Sequence, residues 1–132
     1  MKLKFRKATA KDVISIVAML ADDELGKQRE NFAIPLPQEY LTAFAAIDAD
    51  KNQELIVVEN EKADIIGTLQ LSFIPYLTYQ GGIRAQIEAV RIRKTERNKG
   101  IGKQMFEWAI ARAKEKKAHL LQLTSDKKRP QA

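Results

Sequence analysis

The chain of 132 residues contains no cysteine, one histidine, one tryptophan, four prolines and six glycines. Without cysteine there is no disulfide framework, no thiolate nucleophile and no thiolate metal site, which fits a reducing compartment. A lone histidine, His119, is no metal site either, and its position at a strand start reads as structural or surface-exposed. No apolar run approaches the ~20 residues that span a bilayer. The start, MKLKFRKATAKD, is basic but lacks the apolar stretch of a secretory signal. These absences point to a cytoplasmic protein without a membrane partner. What remains is 45% apolar and 30% charged, a globular composition that suits a single domain over residues 1–132. Folding a chain of this size buries roughly two-thirds of its surface, enough for a core without staples.

The charge is unevenly spread. Residues 1–90 hold ten Lys/Arg against thirteen Asp/Glu, whereas residues 91–132 hold thirteen against four. Arg91, Arg93, Lys94, Arg97, Lys99 and Lys103 fall close together, offset only by Glu96. Such a concentration implies an anionic partner: a phosphate-bearing small molecule, a nucleic acid or an acidic protein. Nucleic acid is the weaker choice, because no helix-turn-helix, zinc or base-stacking pattern accompanies a sequence pI of 9.6. The Lys127-Lys128-Arg129 run reads as a solvated tail.

Periodicity orders the elements. Leu3 and Phe5 alternate with Lys4 and Arg6 as a short first strand. Thr9 to Asp12 form a variant capping box, and Val13, Ile16, Val17 and Leu20 make the stripe of a first helix that ends near Gly26. Pro35 and Pro37 lead to a second helix whose Tyr40, Leu41, Phe44, Ala45 and Ile47 share a face. Leu55–Val58 and Ile65 to Phe73 form a hairpin around Asn60-Glu61-Lys62, and Pro75 stops its second strand. Ile83 to Ile92 is a long central strand, with Ile83, Ala85, Ile87 and Ala89 on one face and Gln86, Glu88, Val90 and Ile92 on the other. A helix opens near Gly100 with a stripe of Ile101, Met105, Phe106, Ala109, Ile110 and Ala113, and Trp108 lies off that stripe at a core edge or interface. His119 to Leu123 is the last strand. The order β-α-α-β-β-β-α-β describes an α/β fold, a mixed and mostly antiparallel sheet with helices on both faces.

The chemistry gathers where the central strand turns into that helix. A helix N-terminus presents unpaired N–H groups and partial positive charge, which suits a phosphate. Gly100 and Gly102 remove side chains so that an anion can approach the backbone, and Arg97, Lys99 and Lys103 add charge-assisted donors. The spacing fits neither a Walker loop nor the dinucleotide fingerprint.

Arg97-x-x-Gly100-x-Gly102, following this strand in this element order, resembles the GNAT superfamily of N-acetyltransferases over residues 1 to about 125. The resemblance implies that acetyl-coenzyme A (acetyl-CoA) is the co-substrate. It implies phosphates held by Arg97, Asn98, Lys99, Gly100, Ile101, Gly102 and Lys103, and a pantetheine arm bound by the backbone of Val90, Arg91 and Ile92. It makes Glu88 the candidate general base, removing a proton from a small-molecule or peptide primary amine that attacks the thioester directly, with no metal. Family members continue with a helix and two strands, and that helix supplies a tyrosine acid. Here the chain reaches Pro130-Gln131-Ala132 with no tyrosine after Tyr79. The expectation is therefore a C-terminally truncated domain: a fragment, a chain completed by a partner, or a non-catalytic acetyl-CoA-binding sensor or interaction domain. An uncovered last strand would favour a homodimer.

Overall fold

Five strands lie side by side in the order β1-β2-β3-β4-β5. The computed structural model describes residues 2–123. β1 (Lys4–Lys7) leads through a 3₁₀ turn into α1 (Val13–Leu20), then α2 (Glu24–Arg29) and α3 (Gln38–Ala49). β2 (Gln53–Glu59), β3 (Ile65–Pro75), a one-turn α4 (Thr78–Gly81), β4 (Ile83–Ile92), α5 (Ile101–Glu115) and β5 (Leu120–Leu123) complete it. The first four strands pair antiparallel, and β5 pairs parallel with β4 because α5 carries the chain back across the sheet.

The fold is the mixed, mostly antiparallel sheet with helices on both faces that the sequence suggests. On one face α5 inserts Ile101, Met105, Ala109 and Ala113 against Ile56, Val58, Leu69, Leu71, Ala85 and Ile87. On the other, Ile16, Leu20 and Phe44 pack on Val57, Leu55 and Ile65. Trp108 stacks on Phe5 with ring centroids 5.2 Å apart, covering the core edge. Two ion pairs tie helices to the sheet. Arg112 of α5 bonds the buried Glu54 of β2 through Nε at 2.8 Å and through Nη2. Arg6 of β1 bonds Asp12, whose Oδ2 also accepts the Thr9 N–H at 2.7 Å, the capping box expected from the sequence.

Several expectations need correction. Gly26 does not end the first helix: α1 stops at Leu20, and Gly26 lies buried within α2, where its N–H donates to the Asp23 carboxylate at 2.6 Å. A Cβ there would overlap the Leu20 carbonyl oxygen, so close approach, and not termination, requires glycine. The shared α3 face of Tyr40, Leu41, Phe44, Ala45 and Ile47 is only partly buried: Phe44 packs on the core, whereas Leu41 and Ala45 are exposed. Ile110 is 45% exposed and leaves the α5 stripe. The alternation of β4 also fails beyond Glu88. Gln70 pairs with Glu88 but Thr68 pairs with Arg91, so Leu69 alone spans Ala89 and Val90. This is a β-bulge, and Ala89 takes φ +53°. The extra residue inverts the faces, so Val90 and Ile92 join Ala85 and Ile87 against the α5 side. The Lys127-Lys128-Arg129 run and the expected lack of a closing helix and strands lie outside the described residues.

Candidate active site

The loop from Ile92 to Ile101 is shaped by its hydrogen bonds and by two left-handed residues. The Arg93 N–H donates to Ile66 O at 2.7 Å, fixing the end of β4, and a short 3₁₀ turn over Lys94–Glu96 follows. Asn98 then takes φ +65° and Gly100 φ +79°. Asparagine and glycine are the residues that adopt this region at least cost. Gly100 is the N-cap of α5, so the amides that follow it have no carbonyl one turn earlier to bond. A Cβ at Gly100 would meet nothing within 4 Å, so the cradle opens outward, whereas one at Gly102 would touch Ile92 Cδ1 at 3.4 Å.

Of the residues singled out from sequence, Arg97, Asn98, Lys99, Gly100 and Lys103 lie exposed around this cradle. Ile101 is buried in the core, so only its backbone can serve an anion there. Arg97 Nε donates to Ile92 O at 3.3 Å, and Nη2 lies 3.9 Å from the Asp22 carboxylate just after α1. Lys99 Nζ pairs with Glu96 at 3.4 Å. No motif marks Asp22, since its contact with Arg97 is made only by the tertiary fold.

Upstream, Val90, Arg91 and Ile92 are half-buried on the bulged half of β4, and Arg91 Nη1 donates to Val90 O at 2.9 Å. Glu88 is exposed at the bulge and accepts from Gln86 Nε2 at 2.7 Å. The described pairing of β4 with β5 runs from Arg84–Leu120 to Ile87–Leu123, so Glu88 is the first β4 residue beyond it. One strand thus presents a carboxylate, a bulged backbone and, through its loop, an open helix N-terminus ringed by basic side chains. His119 stands apart, at the other end of β4, stacked with Tyr76 at 5.4 Å and beside Tyr79 at 4.7 Å. Among the described residues no cluster of His, Asp and Glu could hold a metal, and no helix is long and apolar enough to cross a membrane.

Solved structures share this fold. A transcriptional regulator from Bacillus halodurans C-125 is 53% identical, with a TM-score of 0.93 over 99% of this chain and 87% of that one. A predicted acetyltransferase with acetyl-CoA from Clostridium acetobutylicum is 25% identical, with a TM-score of 0.71 over 96% and 82% of the two chains. An acetyltransferase from Trypanosoma brucei, 22% identical, shares the fold with a TM-score of 0.75 over 97% and 86%. Among curated proteins there is no match. The model of the acetyltransferase (GNAT) family matches residues 19–132, and the chain belongs to that family.

Proposed function

We propose that this protein binds acetyl-CoA and transfers its acetyl group to the nitrogen of a primary amine. The observation that carries the reading is the left-handed Asn98 and Gly100 turning β4 into the N-terminus of α5, with an open side where a Cβ would stand at Gly100. Backbone amides from Asn98 to Lys103 hold the phosphates, with Arg97, Lys99 and Lys103 supplying positive charge. The bulged backbone of Val90, Arg91 and Ile92 bonds the pantetheine arm. Bound there, acetyl-CoA supplies the acetyl group as a thioester open to direct attack. Glu88, exposed at the bulge, takes the proton that the attacking amine must lose, directly or through one water. Calorimetric titration with coenzyme A tests the site, and acetyl transfer across an amine panel tests the reaction. Absence of coenzyme A binding at millimolar ligand sinks the assignment.

A second reading, a regulator that binds acetyl-CoA without turning it over or that contacts DNA, is favoured by the 53% identical relative described as a transcriptional regulator. Steeply salt-dependent DNA binding would support it, because neutralising backbone phosphates releases counterions. We also propose a homodimer. Among the described residues β5 is an edge strand, with Leu120 and Leu123 42% and 47% exposed. Light scattering at micromolar concentration checks this; a monodisperse monomer refutes it.

A further inference from the structure

Strand register lines up four uncharged polar side chains across the sheet. Gln53 of β2 pairs with Ser72 of β3, Ser72 with Gln86 of β4, and Gln86 with Gln122 of β5. One step along, Gln70 pairs with Glu88. Alternation places this row on the face opposite the buried Leu71, Phe73, Ala85 and Ile87. The helices of that face pack over Leu55, Val57 and Ile65, toward one end of the sheet, and the row stays accessible: Gln53, Gln70, Ser72 and Gln86 are half-buried, and Gln122 and Glu88 exposed.

A merely solvated face in a chain that is 30% charged would be expected to carry lysine and glutamate. This row has neither until Glu88 at its border, and it is internally organised. Gln53 Oε1 accepts from Gln70 Nε2 at 2.9 Å and from Ser72 Oγ at 2.8 Å, while Gln86 Nε2 donates to Glu88 at 2.7 Å. Gln53 Oε1 thus serves both neighbours within the sheet, and the oxygens of Gln70 and Ser72, with the second N–H of Gln70, are left for a polar, uncharged ligand. On the other side of the row, Arg84 stands two residues from Gln86, about 7 Å along the strand, and lies 5.5 Å from the Tyr76 ring centre.

We propose that this row is the amine-acceptor subsite and that it selects a primary amine carried on an uncharged polar body, one bearing hydroxyl or amide groups. Glu88 receives the amine, Ser72 and Gln70 hydrogen-bond the body beside Gln86, and Arg84 repels a second cation. That charge disfavours a polyamine, and a plain alkylamine leaves polar groups of the row unpaired. The inference rests on the acetyltransferase reading and gives that reaction its substrate class.

Four small amines separate the possibilities: serinol (hydroxyl-bearing), glycinamide (amide-bearing), propylamine and putrescine. With acetyl-CoA, kcat/KM for serinol or glycinamide should exceed that for propylamine and putrescine by about tenfold, what two neutral hydrogen bonds supply. Whichever of the first two leads tells a hydroxyl from an amide body. Gln86→Leu and, separately, Ser72→Ala should pull the ratio toward unity through KM, with coenzyme A affinity by calorimetry unchanged. The same ranking is expected when the amines are titrated into the coenzyme A-saturated protein and followed by saturation-transfer NMR, which needs no turnover. Preference for propylamine or putrescine, or a ratio that survives both substitutions, overturns the proposal. If coenzyme A binds and no ranking emerges by either method, this inference alone falls. If coenzyme A does not bind, the acetyltransferase reading falls and takes it down as well.

Discussion

Gly100 and Gly81 allow charge at the cradle to be separated from backbone strain. Both are left-handed, at φ +79° and +75°, and a Cβ at either would meet nothing within 4 Å. Replacing either by aspartate therefore carries the same cost, about 1–2 kcal/mol for a side chain in that region. On a domain of this size that lowers Tm by roughly 3–8 °C. The two differ in place. Gly100 caps α5 beside Arg97 and Lys99, whereas Gly81 closes the one-turn α4 at the far end of β4. A carboxylate about 5 Å from one phosphate charge is repelled by roughly 0.8 kcal/mol in water and about 3 kcal/mol at an effective dielectric near 20. Summed over a pyrophosphate, Gly100→Asp should weaken coenzyme A binding by more than about tenfold. Gly81→Asp should bind as the parent does despite a similar loss of Tm. Calorimetry and a thermal melt read both numbers. Equal affinities for Gly100→Asp and the parent, or equal losses for the two variants, would refute the placement of the phosphates.

Arg112→Met strands the Glu54 carboxylate, whose side chain is only 6% exposed, and should cost about 3 kcal/mol, seen as a Tm fall near 10 °C. Adding Glu54→Leu should recover most of it, because a well-packed apolar pair replaces the ion pair. Hydrogen bonds from Arg112 and Arg6 hold Glu54 and Asp12 below the usual carboxylate range. A depressed carboxyl pKa contributes stability that is complete above the unfolded value near 4 and lost as pH falls through the folded one. Tm should therefore hold from neutral pH to about 5 and decline below it, less steeply in Arg112→Met, and a flat acid limb would contradict the pairing. Glu88→Gln should lower kcat at neutral pH with coenzyme A affinity intact; an unchanged pH–rate profile would return Glu88 to a structural role. Gly26→Ala should lower Tm by roughly as much as Arg112→Met, because its Cβ meets backbone and not a side chain that can swing away. A Tm equal to the parent's would show that α1 and α2 move apart at little cost.

The legible parts of the sequence were those set by local spacing. The four-residue repeat of Ile101, Met105, Ala109 and Ala113 needs only the helical period to be read, and each of these residues is buried. The Arg97–Gly102 segment was readable because its glycines oppose helix propensity where a helix begins. What escaped depends on distant partners. Gly26 looks like a helix stop until the Leu20 carbonyl is found against it. The α3 stripe is amphipathic in sequence, yet only its Phe44 joins the apolar cluster on that face of the sheet, and the others stay half-buried or exposed. The polar row from Gln53 to Gln122 is invisible to any window, since its members come from four strands and meet only through register.

The bulge is the least legible feature, and the site depends on it. Nothing about alanine announces φ +53°, so strict alternation turns Ile92 toward the wrong face. With the extra residue, Ile92 points to the α5 side, where Gly102 leaves room for it at 3.4 Å. Gly67, the β3 partner of Ile92, is more tightly constrained, because a Cβ there would press on Met105 Sδ at 3.2 Å and Arg91 O at 3.3 Å. Gly67 and the bulge therefore act together, bringing Met105 of α5 down onto the end of β4. Gly100 answers a different need, since its Cβ would meet no part of the chain. That contrast makes Gly67 a packing glycine and leaves Gly100, with left-handed Asn98 before it, as a glycine required by its φ of +79° alone, open on the side where the proposed phosphates would lie.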